Sequence, residues 1–162
     1  MSKKIFITGI PTSGKTYLAK KLASIVDGIV VSTDDMRVEM SKYPQYKKWV
    51  DFFIYLDEKE YYKKTSPDEQ WNNLVQQSDA MWPFILEKIN TYSNQEKPVI
   101  FEGVNILPHL AKKDLSFSGV VLIGNNKEEV YGRVKENHRW GNTEELWRLE
   151  SNSFFDIERP KY

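Results

Sequence analysis

The sequence predicts an α/β fold in which a mostly parallel sheet of four to five strands lies between two layers of helices. Two observations carry this. Four short apolar runs, at residues 5–7, 29–31, 98–101 and 120–123, alternate with longer stretches whose apolar residues recur at helical spacing. Strands separated by helices pair in parallel, and the crossover helices then cover both faces of the sheet. At 162 residues the chain has the length of one domain, so we take 1–162 as a single unit.

The elements follow in order. The run at 5–7 leads into a glycine-bearing loop and a helix over 15–26, with Leu18, Leu22, Ile25 and Val26 facing inward and Asp27-Gly28 ending it. A second strand at 29–31 ends in Ser32-Thr33-Asp34-Asp35, with a helix expected from Met36. Residues 36–95 read as mostly helix broken at Pro44, a helical insertion suited to binding a second substrate. Within it Trp49, Phe52, Phe53 and Leu56 form a stripe at helical spacing, fit for core or cleft wall. Ser66-Pro67-Asp68-Glu69 has the pattern of a capping box with proline at the first helical position. Pro83 is expected to kink or restart the helix that follows. A third strand over 98–101 ends in Glu102-Gly103-Val104-Asn105, and a fourth over 120–123 ends in Gly124-Asn125-Asn126. A helix over 128–138, a break at Gly141 and a helix capped by Asn142 or Thr143 come next, with 128–142 reading as a lid. The final ten residues are expected to add a short edge strand.

Residues 9–16 read G-I-P-T-S-G-K-T and match the phosphate-binding pattern G-x-x-x-x-G-K-[ST]. The pattern needs a strand before it and a helix after it, and both are expected here. Gly9 and Gly14 let the backbone bend around a phosphate, while Pro11, Thr12 and Ser13 form the body of the loop. The amides of Ser13, Gly14, Lys15 and Thr16 then open a helix, where unpaired N–H groups and the helix dipole favour an anion. Lys15 can reach the β- and γ-phosphates, and the Thr16 hydroxyl can bind Mg²⁺. The expected class is therefore a three-layer α/β/α P-loop NTPase with a helical acceptor and lid region, binding a nucleoside triphosphate (ATP, with GTP possible) and Mg²⁺.

Composition narrows the partners. Lys plus Arg and Asp plus Glu are 23 each, so no overall field draws the protein to nucleic acid or to an anionic membrane. The chain has no cysteine and two histidines, which excludes disulfides, thiolate chemistry and a Cys-based zinc site. The apolar run behind Lys3 and Lys4 is too short for a signal peptide or a membrane span. A soluble, cytoplasmic protein is expected, with oligomeric state unreadable.

In parallel sheets ligands bind beyond the carboxyl ends of the strands, and there the loop, Asp34-Asp35, Glu102 and Asn125 converge. Phosphoryl transfer needs charge stabilisation, in-line placement and a group to take the nucleophile's proton. Asp34 and Asp35 are the candidate bases, unless one of them caps the helix after it. Arg37 can hold an anionic group of the acceptor. Glu102 can hold Mg²⁺ or engage the acceptor, and Asn105 stands in the same segment. Arg133 and Arg139 are placed for a lid to bring cations onto the transferring phosphoryl group. The leading expectation is a kinase acting on a hydroxyl of a small metabolite or of a nucleoside or nucleic-acid 5′ end. The alternative is a nucleotide-binding switch or regulatory NTPase, to which Asn126-Lys127-Glu128-Glu129 lends a faint guanine-reading pattern.

The set GIPTSGKT, STDDMR, VIFEGVN and ENHRWG resembles the small P-loop kinases that include polynucleotide 5′-kinase domains, zeta-toxin-like kinases and 2-phosphoglycerate kinases. The similarity spans roughly residues 3–37 and 98–140, and EGVNILP looks more like the 2-phosphoglycerate kinase group and unassigned relatives. The resemblance implies Asp34 as general base and Arg37 as ligand of an acceptor phosphate. Residues 38–95 match no substrate-defined group.

Overall fold

The computed structural model describes residues 3–53, 56–137 and 141–162. Four strands, β1 (Lys4–Gly9), β2 (Ile29–Ser32), β3 (Val99–Glu102) and β4 (Gly119–Leu122), form one sheet in the order β2-β3-β1-β4. Every pairing is parallel. The helices are α1 (Lys15–Val26), α2 (Thr33–Met40), α3 (Pro44–Phe52), α4 (Glu58–Lys64), α5 (Pro67–Thr91), α6 (Pro108–Asp114), α7 (Lys127–Asn137) and α8 (Glu144–Asn152). The architecture is α/β in three layers, as the alternation of elements predicts.

The two faces of the sheet are sorted by the two-residue period of the strands. Ile5, Ile7 and Ile100 turn toward α1, where they meet Leu18, Ala19 and Leu22. Phe6, Val99 and Phe101 turn the other way, against Met81, Ile85 and Ile89 of α5 and Leu110 of α6. A third cluster, Ile10, Val130, Val134 and Phe154, ties α7 and the C-terminal segment to the glycine loop.

Several local expectations hold. Ser66 Oγ accepts from Glu69 N at 3.3 Å while Glu69 Oε2 accepts from Ser66 N at 2.7 Å, so the capping box starts α5. Thr143 caps α8 by accepting from Leu146 N. Three expectations are corrected. Of the kink or restart expected at Pro83, the restart does not occur: helix α5 continues through it, with Trp82, Phe84 and Ile85 around it buried. Helix α2 begins at Thr33 and not Met36, since Ser32 Oγ accepts from Asp34 N and serves as the cap. The final ten residues form no edge strand. Instead α8 runs on into a π-helical turn (Ser153–Glu158) and a 3-10 turn (Arg159–Lys161), because Ser153 and Phe154 bury themselves against α5 and α7. Among the described residues β4 therefore keeps an unpaired edge, with Val120, Val121 and Ile123 partly exposed.

No helix among the described residues is long and apolar enough to cross a membrane.

Candidate functional site

The glycine loop between β1 and α1 is shaped by backbone that other residues resist. Gly9 has φ 131°, and a Cβ there would stand 1.9 Å from the Leu122 carbonyl oxygen. Gly14, with φ 93°, precedes α1 and no side chain caps the helix behind it. The first-turn amides of α1 are thus left for a ligand or water. Thr12 also has a positive φ, 61°, which is unusual for a β-branched residue and marks local strain in the middle of the loop.

Lys15 is buried and its Nζ donates to the Ile10 carbonyl at 2.6 Å, folding the ammonium over the loop. Arg133 reaches in from α7. Its Nη1 donates to the Thr12 carbonyl at 3.0 Å, and its Nη2 pairs with Glu129 one turn earlier. Two cations from different layers therefore stand at the strained loop.

Strand β3 lies beside β1, with Glu102 level with Ile7, so the carboxyl at its end lands next to the start of α1. Thr16 Oγ1 donates to Glu102 Oε1 at 3.2 Å. Glu102 is buried, which an unpaired carboxylate resists. Among the described residues no cluster of three or more His, Cys, Asp or Glu could cage a metal. The pair suits a hard cation that keeps most of its ligands as water and phosphate oxygen, as Mg²⁺ does.

Asp34 and Arg37 sit on the first turns of α2. Since Ser32 is the cap, neither Asp34 nor Asp35 is consumed in capping. Asp34 lines the cleft with its side chain half exposed, whereas Asp35 is exposed and lies outside the lining. Arg37 Nη2 stands 3.7 Å from Asp34 Oδ1 and donates to Asn105 Oδ1 at 2.8 Å. Asn105, fully buried, in turn donates to Gln77 Oε1 and Ser78 Oγ of α5, each at 3.1 Å. Asn105 is thus a support behind Arg37 and not a wall of the cleft.

These groups border one cleft of about 840 Å³. Pro11, Thr12, Gly14, Lys15 and Thr16 line it with Asp34, Arg37, Glu102 and Arg133, while Gly9, which is buried, and Ser13 are not part of its lining. Arg139 falls outside the described residues. A second groove, of about 630 Å³ at the amino ends of β1 and β3, is bordered by none of the candidate site residues.

The chain matches no known family model and no curated protein.

The rest of the cleft joins part of the aromatic stripe to residues that sequence reasoning missed. Phe53, Tyr61 and Tyr62 line it, with Glu58 from the first turn of α4 and Glu158 from the C-terminal turns. The aromatic stripe is cleft wall in part: Phe53 and Phe52 stack edge-on against Tyr61 at 6.0 and 6.1 Å. Burial pushes the Glu158 carboxyl up to about 8, with Lys15 pulling in the opposite direction. Burial, followed by the nearness of Glu158, raises the phenols of Tyr62 and Tyr162 well above their usual value. No motif announces Glu158, because it enters the site only through the turns that follow α8.

Proposed function

We propose that the chain is an ATP- and Mg²⁺-dependent kinase that transfers a γ-phosphoryl group to a hydroxyl. The observation that carries this reading is the convergence of Lys15, Thr16 and Glu102 with Asp34 on one cleft, the first three on a strained anion-binding loop and its neighbouring strand. The first-turn amides of α1, Lys15 and Arg133 stabilise charge on the transferring group. Thr16 and Glu102 are the residues that would hold Mg²⁺, which when bound neutralises charge on the β- and γ-oxygens. The acceptor hydroxyl oxygen attacks the γ-phosphorus and its proton passes to the Asp34 carboxylate. The new P–O bond forms as the bond to the β–γ bridging oxygen breaks, and ADP leaves.

Arg37 lines the cleft, where it would hold an anionic group of the acceptor. Held by Asn105 and standing beside Asp34, it also orients that carboxylate. Guanine reading by Asn126 loses support, since Asn126 Oδ1 accepts from Glu129 N at 2.8 Å and caps α7 while Lys127 pairs with Asp156.

The test is transfer of labelled phosphate from ATP with Mg²⁺ to nucleosides, 5′-hydroxyl oligonucleotides, phosphoglycerates, amino sugars and aminoglycosides. Transfer to one class that disappears in Asp34→Asn supports the kinase. Tight ATP binding with slow hydrolysis and no transfer to any of them favours the regulatory NTPase.

A further inference from the structure

Among the described residues, nothing pairs with the outer edge of β4, where the sheet ends. On its inner side the Ser118 and Leu122 carbonyls accept from Phe6 N at 3.4 Å and Ile10 N at 3.2 Å. Backbone groups alternate in direction along a strand, so those of Gly119, Val121 and Ile123 point away from β1 and out of the sheet. The side chains at this edge are open too. Helix α1 packs mainly on β1, β2 and β3, and Val120, Val121 and Ile123 remain 41%, 38% and 39% exposed. No residue of β2, at the opposite edge, is as exposed.

The edge also lacks the devices that keep strands apart. Lysine, proline or a bulge commonly blunts an exposed edge. Residues 115–126 contain no charged residue and no proline, and β4 follows β1 in unbroken register. Charge appears only beyond the two ends of this stretch, and there it is opposite in sign. Lys112 and Lys113 close α6 before it, while Asp114 accepts from Trp82 Nε1. Glu128 opens α7 after it, where Lys127 and Glu129 are already paired with Asp156 and Arg133. An antiparallel copy of the strand therefore brings a basic end alongside an acidic one.

The strand is complementary to itself in shape as well. Turned about a two-fold axis through Val121, it sets Val121 against Val121, Gly119 against Ile123 and Val120 against Leu122. The outward N–H and C=O groups of Gly119, Val121 and Ile123 then meet their counterparts as hydrogen-bonded pairs. Each isoleucine covers the glycine of the other copy.

We propose that β4 is the contact of a homodimer, in which two copies of this chain join their four-stranded sheets edge to edge into one continuous sheet. A two-fold contact uses the same surface on both copies, so the assembly closes at two. One strand pair buries little area, which places the dimer among weak, micromolar associations.

The experiment is sedimentation equilibrium of the full chain from about 1 to 200 μM, the range in which a contact of this size associates. The mass should rise from monomer to dimer and stop there. Val121→Lys sets a charge against its own copy on the axis and should weaken the dimer about tenfold or more. Ile25→Lys, at a more exposed apolar site on α1, should leave the dimer unchanged. Far-UV circular dichroism checks that both variants keep the fold. Because the chain has no cysteine, Val121→Cys gives a second reading that does not depend on the lysine variant. Across the axis its Cα lies about 5.5 Å from its mate, within disulfide reach, so diamide should link it into dimers faster than Ile25→Cys. A monomer at every concentration, a mass beyond the dimer, or an unchanged dimer in Val121→Lys overturns the proposal. So does equal loss of association in the two lysine variants, or equal cross-linking in the two cysteine variants.

Discussion

Thr16 and Glu102, 86 residues apart in sequence, meet through a 3.2 Å hydrogen bond from the threonine hydroxyl to the glutamate carboxylate. One belongs to the first turn of α1 and the other ends β3, so the contact fastens the glycine loop to the neighbouring strand. Replacing Glu102 by Gln keeps the shape but removes the charge. The Mg²⁺ concentration for half-maximal turnover should rise about tenfold to a hundredfold. A Mg²⁺ titration of activity checks this, and an unchanged midpoint removes Glu102 from the metal.

Asp34 is half exposed in the cleft and takes no part in capping α2. Asp34→Asn should lower kcat by about 10²–10⁴ while ATP binds as before, because a general base acts in the chemical step. Equilibrium binding of an ATP analogue, measured beside turnover, separates the two effects. Full turnover in the variant would mean that another group takes the proton.

Asn105 is buried and bonded on both sides, to Arg37 and to Gln77 and Ser78. Asn105→Ala strands those polar groups and should cost about 1–3 kcal/mol of stability, read from urea unfolding. It should also slow turnover, since Arg37 loses the anchor that places it beside Asp34. Loss of stability with wild-type kcat would make Asn105 structural only.

Glu158 links stability to pH. Its folded carboxyl is raised to about 8 from an ordinary value of 4.5, so between those values the folded chain holds a proton that the unfolded chain has released. Stability contributed by this group is therefore greatest below 4.5, declines as pH rises toward 8 and is level beyond. The groups that share its surroundings are Lys15 of α1, Glu58, Tyr61 and Tyr62 of α4, Glu150 of α8 and Tyr162. Thermal unfolding between pH 5 and 9 should show a smaller fall in Tm for Glu158→Gln than for the parent chain. Parallel curves would remove the raised value.

Helix and strand positions were largely readable because each depends on local pattern. Residues 15–26 and the capping box at Ser66 obey rules that operate within a few residues. The loop and Glu102 were readable for a related reason: a motif names the first, and the end of a buried strand names the second. What escaped depends on contacts remote in sequence. Asn105 could be placed near the site but not assigned as the support of Arg37, because that role needs Gln77 and Ser78 from α5. That α5 does not restart at Pro83 escaped for the same reason, since burial of its neighbours outweighs its local preference. Glu158 is ordinary in sequence and becomes unusual only where it is enclosed.

The docking of residues 153–162 has a consequence for the order of folding. The sheet and α1 can assemble around their own apolar faces, but the cleft wall that contains Glu158 waits for a segment far along the chain to settle on α5 and α7. Contacts of such separation carry a large loop-closure cost and form slowly. Refolding should therefore recover the helical signal before it recovers ligand binding. For an interval the chain would hold a formed phosphate loop in a cleft that lacks one side.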